Sequence, residues 1–108
     1  MQKGTLVLLP FPFTDLSGSK VRPALVLHAN TLDVTVCFLI TQLEWAETFD
    51  VSLVPNELNG LKRNSLVRLS KIATLDRKLI LGELGQLADV DLIKVDDGLI
   101  KMFQVSVR

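Results

Sequence analysis

The sequence predicts a small, mainly β (α+β) domain: an antiparallel barrel or curled sheet capped by one C-terminal helix. Three observations carry this expectation. Short runs rich in Val, Leu, Ile and Thr recur along the 108 residues, punctuated by Pro, Gly, Asn and Asp. The period changes only near the end, where Leu92, Val95, Leu99 and Phe103 recur at helical spacing. Hydrophobic residues make up 48% of the chain and charged residues 22%, enough for one packed core over 1–108 but too short for a second.

Residues 4–9 form the first expected strand, which runs into Pro10-Phe11-Pro12-Phe13, where each proline keeps its predecessor extended. Residues 14–20 are loop by composition. A second strand covers 23–28, and Ala29-Asn30-Thr31 begins a turn. The third, 33–41, is apolar enough to be buried on both faces. A short strand over 49–54 precedes an irregular segment, 55–64, that contains Gly60. Strands over 65–75 and 78–87 meet around Asp76-Arg77. Asp89 suits a helix N-cap and Asp91 the first turn. Gly98 weakens that helix by up to ~1 kcal/mol relative to Ala, so a bend or a late start is expected there. Phe11, Phe13, Phe38 and Phe49 are expected in the core.

Composition also narrows the chemistry. No apolar run is long enough to cross a bilayer, and the N-terminal Leu/Val run lacks the cleavage site of a signal peptide. Cys37 alone forms no internal disulfide. These features point to the cytoplasm and to no membrane partner. Twelve basic and twelve acidic residues cancel, and the pI of about 6.6 lies below the usual basic footprint of nucleic-acid binders. The signs are unevenly placed, however. Lys20 and Arg22 lie together, and Lys62, Arg63, Arg68, Lys71, Arg77 and Lys78 cluster later. Lys62 and Arg63 read as a solvated turn.

His28 is the single histidine, which removes a two-histidine ribonuclease mechanism and any His-rich metal site. A structural role at a strand end suits it better. Phosphate-cradling, dinucleotide and HExxH motifs are missing, so neither a metal nor a cofactor is expected. RNA cleavage stays open to such a chain, because the ribose 2′-OH is an internal nucleophile beside the scissile phosphate. The protein must align it and stabilise the charge on the phosphorane. Arginine binds phosphate bidentately and keeps its charge, and a neighbouring hydroxyl can orient the same phosphate. On residue types alone, though, Arg22 reads as a turn anchor before Pro23 and Thr41 as a strand cap.

A collinear set of segments changes that balance. Gly4 and its apolar strand, Pro10-Phe11-Pro12-Phe13-Thr14-Asp15, Ser17-Gly18-Ser19-Lys20 and Val21-Arg22-Pro23-Ala24-Leu25-Val26-Leu27 come first. Phe38-Leu39-Ile40-Thr41, Ser65-Leu66-Val67-Arg68-Leu69-Ser70-Lys71-Ile72, Thr74-Leu75-Asp76 and Gly85-Gln86-Leu87 follow in order. Together they resemble the MazF/PemK toxin family over essentially the whole chain. The resemblance implies an SH3-like barrel and a homodimer that acts as a metal-independent endoribonuclease, an mRNA interferase. Such an enzyme cuts single-stranded RNA through 2′-OH attack, leaving 2′,3′-cyclic phosphate and 5′-OH ends, and a cognate antitoxin inhibits it. By motif match Arg22 and Thr41 are the catalytic pair. The 15–21 loop gates the RNA groove, with Ser17, Ser19 and Lys20 as RNA-binding residues, and Arg68 and Ser70 contribute from a later strand.

Three positions depart from the family pattern. Thr5 follows Gly4 where Asp is frequent, and Gln42 follows Thr41 where Ser is common. Ser70 stands two residues after Arg68 where the PemK branch has an acidic side chain. Serine hydrogen-bonds phosphate but is a poor general base, so the site is expected to rest on Arg22 and Thr41. Trp45, in a polar stretch, is the expected exposed aromatic for RNA, antitoxin or a second subunit. The competing reading is a non-catalytic binding module on the same barrel, akin to the CcdB-type gyrase poisons or an inactive antitoxin-bound relative.

Overall fold

The computed structural model describes residues 1–10 and 20–106. Its elements run β1 (Thr5–Pro10), β2 (Val21–Ala29), β3 (Asp33–Ile40), β4 (Val51–Leu53), β5 (Ser65–Asp76), β6 (Gly82–Gln86) and α1 (Asp89–Phe103). Single 3₁₀ turns lie at Leu43–Trp45 and Arg77–Leu79. The six strands form one antiparallel sheet in the order β4-β5-β3-β2-β1-β6. A curled sheet with one C-terminal helix is the architecture expected.

Both faces of the sheet are apolar, because the central strands have no polar side. On one face Leu6, Leu25, Cys37, Leu39, Val67 and Leu69 pack with Val95 of α1. On the other, Val7, Leu9, Ala24, Val26, Val34, Val36 and Phe38 form a second cluster. The strictly alternating sets follow from the two-residue pleat. They confirm that β3 is buried on both sides. Burial also pushes the Cys37 thiol up to about 12, so it stays protonated and packs as a small hydrophobe.

The curl comes from register breaks. The β1–β6 ladder shifts between Leu6 and Val7, the β2–β3 ladder between Val26 and His28, and the β3–β5 ladder between Cys37 and Leu39. Each extra residue bends its strand and increases the local twist. The largest break sets residues 68–71 of β5 against Phe38 of β3. Exposed His28 sits at its own break, opposite Thr35, near the end of β2.

Segment 54–61 draws the two outer edges together. Gln86 of β6 donates its backbone N–H to the Leu58 carbonyl at 2.9 Å. Two glycines permit the approach. A Cβ on Gly60, whose φ is +68°, would collide with the Leu84 carbonyl oxygen, and one on Gly85 would collide with that of Leu58. Gly85→Ala is therefore expected to lower unfolding stability by roughly 1–3 kcal/mol, the range for forced overpacking. Urea denaturation checks this; an unchanged midpoint would show that the seam relaxes freely.

Several boundaries differ from expectation. β2 starts at Val21, so Arg22 lies inside a strand. The expected strand over 78–87 is a 3₁₀ turn followed by a shorter β6, because the Asp76 side chain accepts the Lys78 N–H and starts the turn. Asp89 is the first helical residue and not the N-cap; Ala88 holds that place without a side-chain bond. The helix does not start late but runs unbroken through Gly98. An added Cβ there would stand 2.6 Å from Leu69 Cδ1, so the glycine lets α1 lie close on β5. Phe38 is fully buried and Phe49 packs partly against the helix-side core, whereas Phe11 and Phe13 lie outside the described residues.

Candidate functional site

Arg22 is half-buried and opposite Leu9 of β1 in register; Pro23 is opposite Leu8. Thr41 is the first residue past β3 and is also half-buried. Thr41 and Pro23 line one cavity of about 260 Å³, together with Leu8, Gly60, Leu61, Lys62, Arg63, Ser65 and Leu84. Arg22 is the immediate neighbour of this wall but shares its side of the strand with Ala24 and Val26 by the pleat. The structure therefore separates the expected pair: Thr41 lies in the cavity lining, whereas the Arg22 side chain belongs to the opposite face of β2 from Pro23. Lys20 is exposed just before β2. Ser17 and Ser19 lie outside the described residues.

The turn that carries Lys62 and Arg63 is fixed from within. Asn59 is 1% exposed, and its Oδ1 accepts the N–H groups of Asn56 (3.1 Å) and Leu61 (2.9 Å). Its Nδ2 donates to the Val54 carbonyl at 2.9 Å, and its own N–H donates to Asn56 Oδ1 at 2.7 Å. One buried amide thus supplies the bonds that an irregular segment lacks. Buried Ser65 donates its hydroxyl to the Arg63 carbonyl at 2.9 Å. Lys62 and Arg63 are exposed, but they are not an isolated surface turn. The sequence reading of them as a solvated turn agrees with their exposure, but only the sheet's closure brings them to the cavity that Thr41 lines.

Arg68 occupies a different environment. Asp50 lies one step beyond the Val51–Val67 pair of the β4–β5 ladder, across from Arg68. Arg68 Nε and Nη2 donate to Asp50 Oδ1 (3.1 Å) and Oδ2 (2.9 Å), a bidentate pair. Nη1 reaches Glu47 Oε2 at 3.1 Å, and Nη2 also donates to the Trp45 carbonyl at 2.6 Å. The Arg68 and Asp50 side chains are only 11% and 4% exposed. The bond to Asp50 is the main influence that raises the Arg68 pKa, with burial opposing it and the charges of Asp50 and Glu47 adding to it. Ser70 donates to Glu47 Oε1 at 2.8 Å. A carboxylate therefore does stand beside Ser70, supplied by the 45–50 segment and not by the strand itself.

These contacts divide the expected residues into two groups. Thr41 borders a cavity rimmed by the exposed Lys62 and Arg63. Arg68 and Ser70 hold the segment after Thr41 against β5. Trp45, in that segment, is 65% exposed. Among the described residues no helix is long and apolar enough to cross a membrane.

Comparison with known proteins fits this geometry. The probable endoribonuclease MazF of Mycolicibacterium smegmatis is 24% identical over 91 residues, 81% of this chain and 84% of that protein. The Mycobacterium tuberculosis toxin MazF-mt6 superposes with a TM-score of 0.77 at 18% identity, covering 95% of this chain and 99% of that one. An endoribonuclease in complex with its cognate antitoxin, from a mycobacterial species, gives a TM-score of 0.73 at 18% identity, covering 100% and 97%. The two structural likenesses establish the fold. A family model for the PemK-like, MazF-like toxin of type II toxin–antitoxin systems matches residues 2–103, and the chain belongs to that family.

Proposed function

We propose that the protein is an endoribonuclease that cuts single-stranded RNA by attack of the ribose 2′-OH on the adjacent phosphate. The observation that carries this reading is Thr41 in the lining of a cavity that Lys62 and Arg63 rim, in a chain of the PemK-like, MazF-like toxin family. The P–O2′ bond forms as the 2′-OH gives up its proton, and the P–O5′ bond breaks as the 5′-oxygen gains one. The ends are then a 2′,3′-cyclic phosphate and a 5′-OH. Arg22 stabilises the charge that grows on the phosphorane oxygens, which a planar fork matches better than a point charge. The Thr41 hydroxyl orients the phosphate and the 2′-OH. Lys20 guides the RNA backbone into the site.

Family membership supports a protein partner. A mycobacterial relative is described in complex with its cognate antitoxin, and we assign this chain an antitoxin of its own, with a homodimer in the cytoplasm as the working form. Metal independence is part of the same proposal, since the ribose 2′-OH is itself the nucleophile and needs no metal-activated water. The test is incubation of purified protein with mixed-sequence RNA in EDTA, followed by mapping of the ends. Cuts bearing 5′-OH termini are expected. Intact RNA over varied sequences would overturn the nuclease reading in favour of a non-catalytic binding module.

A further inference from the structure

The cavity beside Thr41 has a chemistry that phosphate binding alone does not require. Leu8, Pro23, Leu61 and Leu84 give it apolar walls, and Thr41 and Ser65 add hydroxyls. Ser65 donates its own proton to the Arg63 carbonyl, so its remaining hydrogen-bonding capacity is as an acceptor. Lys62 and Arg63 stand exposed at the rim. Apolar walls, a few oriented polar groups and cations on one side suit a flat heteroaromatic ring joined to a phosphate. At about 260 Å³ the space falls just below the roughly 300–1,000 Å³ typical of drug-sized ligands, which leaves room for one base.

We propose that this cavity is a base-recognition subsite: it takes one unstacked base next to the cut, while Lys62 and Arg63 hold the adjoining phosphate. The proposal rests on the endoribonuclease reading above. Single-stranded RNA is read by splaying bases out and bonding their edges, and a slot continuous with Thr41 receives such a base as the phosphate settles. The buried Ser65 acceptor favours a base edge that offers an N–H. An edge without one leaves that oxygen unpaired, which is how a built polar site discriminates. The charge at the rim, in a chain of zero net charge, explains how a neutral protein holds a polyanion locally.

The test uses a randomised single-stranded RNA pool methylated at every 2′-oxygen, which blocks cleavage and isolates binding. Lys62→Ala/Arg63→Ala is expected to weaken binding about tenfold at low salt and to flatten the log–log salt slope by about 1.4, for two lost phosphate contacts on a single strand. Leu84→Phe, which fills the cavity, is expected to erase the base preference at one position among bound sequences and leave the others intact. Both proteins are checked by thermal melting, and the exposed double variant keeps the test valid if Leu84→Phe melts early. Unchanged affinity, slope and preference overturn the subsite. So does a rim variant that loses binding to a glutamate-rich peptide but not to RNA, which assigns the rim to a protein partner. Failure of the parent reading looks different: the wild-type protein then binds the blocked pool through this cavity yet leaves unblocked RNA intact.

Discussion

Arg22→Lys is expected to lower single-turnover cleavage of RNA by about 100-fold, with the melting temperature close to that of the parent. Losing one oriented donor to a developing oxyanion costs about 10²–10³ in rate in well-studied enzymes. Lysine keeps the positive charge, so the loss isolates geometry from charge: one compact ammonium replaces a fork that engages two phosphate oxygens. Substrate affinity is expected to change little, because ground-state attraction to phosphate survives in the ammonium. The effect should therefore fall on kcat rather than KM. Cleavage near the parent rate would show that Arg22 acts as a point charge or only anchors the start of β2.

Arg68→Ala is expected to act on stability, by about 3–5 kcal/mol, the range for removing one partner from a buried ion pair. Asp50, 4% exposed, loses both bonds from the guanidinium and stays desolvated. The Trp45 carbonyl and Glu47 lose their contacts to the same group. The segment from Glu47 to Asp50 is thereby released from β5, and it begins six residues after Thr41. Urea denaturation reads the loss directly. An unchanged unfolding midpoint with weakened RNA binding would instead return Arg68 to the role that the family resemblance implies, a cation facing the substrate.

The contrast between these two arginines shows what was legible in the sequence. Strand periodicity placed all six strands, and the late switch in period placed α1, since burial on alternate positions is a local property. Asp89 misled because capping depends on where the chain turns, and Ala88 takes that place. Gly98 misled because helix propensity ignores the close packing against Leu69 that a glycine admits. Arg22 and Thr41 were singled out through their neighbours in sequence, and of the two only Thr41 lines the cavity. The surroundings of Arg68 were not legible, because Asp50 and Glu47 reach it only through the β4–β5 register and the break after Val67. Lys62 and Arg63 were hidden for a similar reason: their distance from Thr41 along the chain says nothing until the sheet curls.

The closed seam between segment 54–61 and β6 has a thermodynamic consequence. Gly60 and Leu61 lie on one side of that seam and Leu84 on the other, so the walls of the cavity come from two edges joined there. Any excursion that parts the edges removes the cavity before the central strands unfold. A ligand seated in it therefore opposes that excursion by mass action. The Gln86 amide, which bonds across the seam, should report this by exchanging its hydrogen more slowly when the cavity is filled.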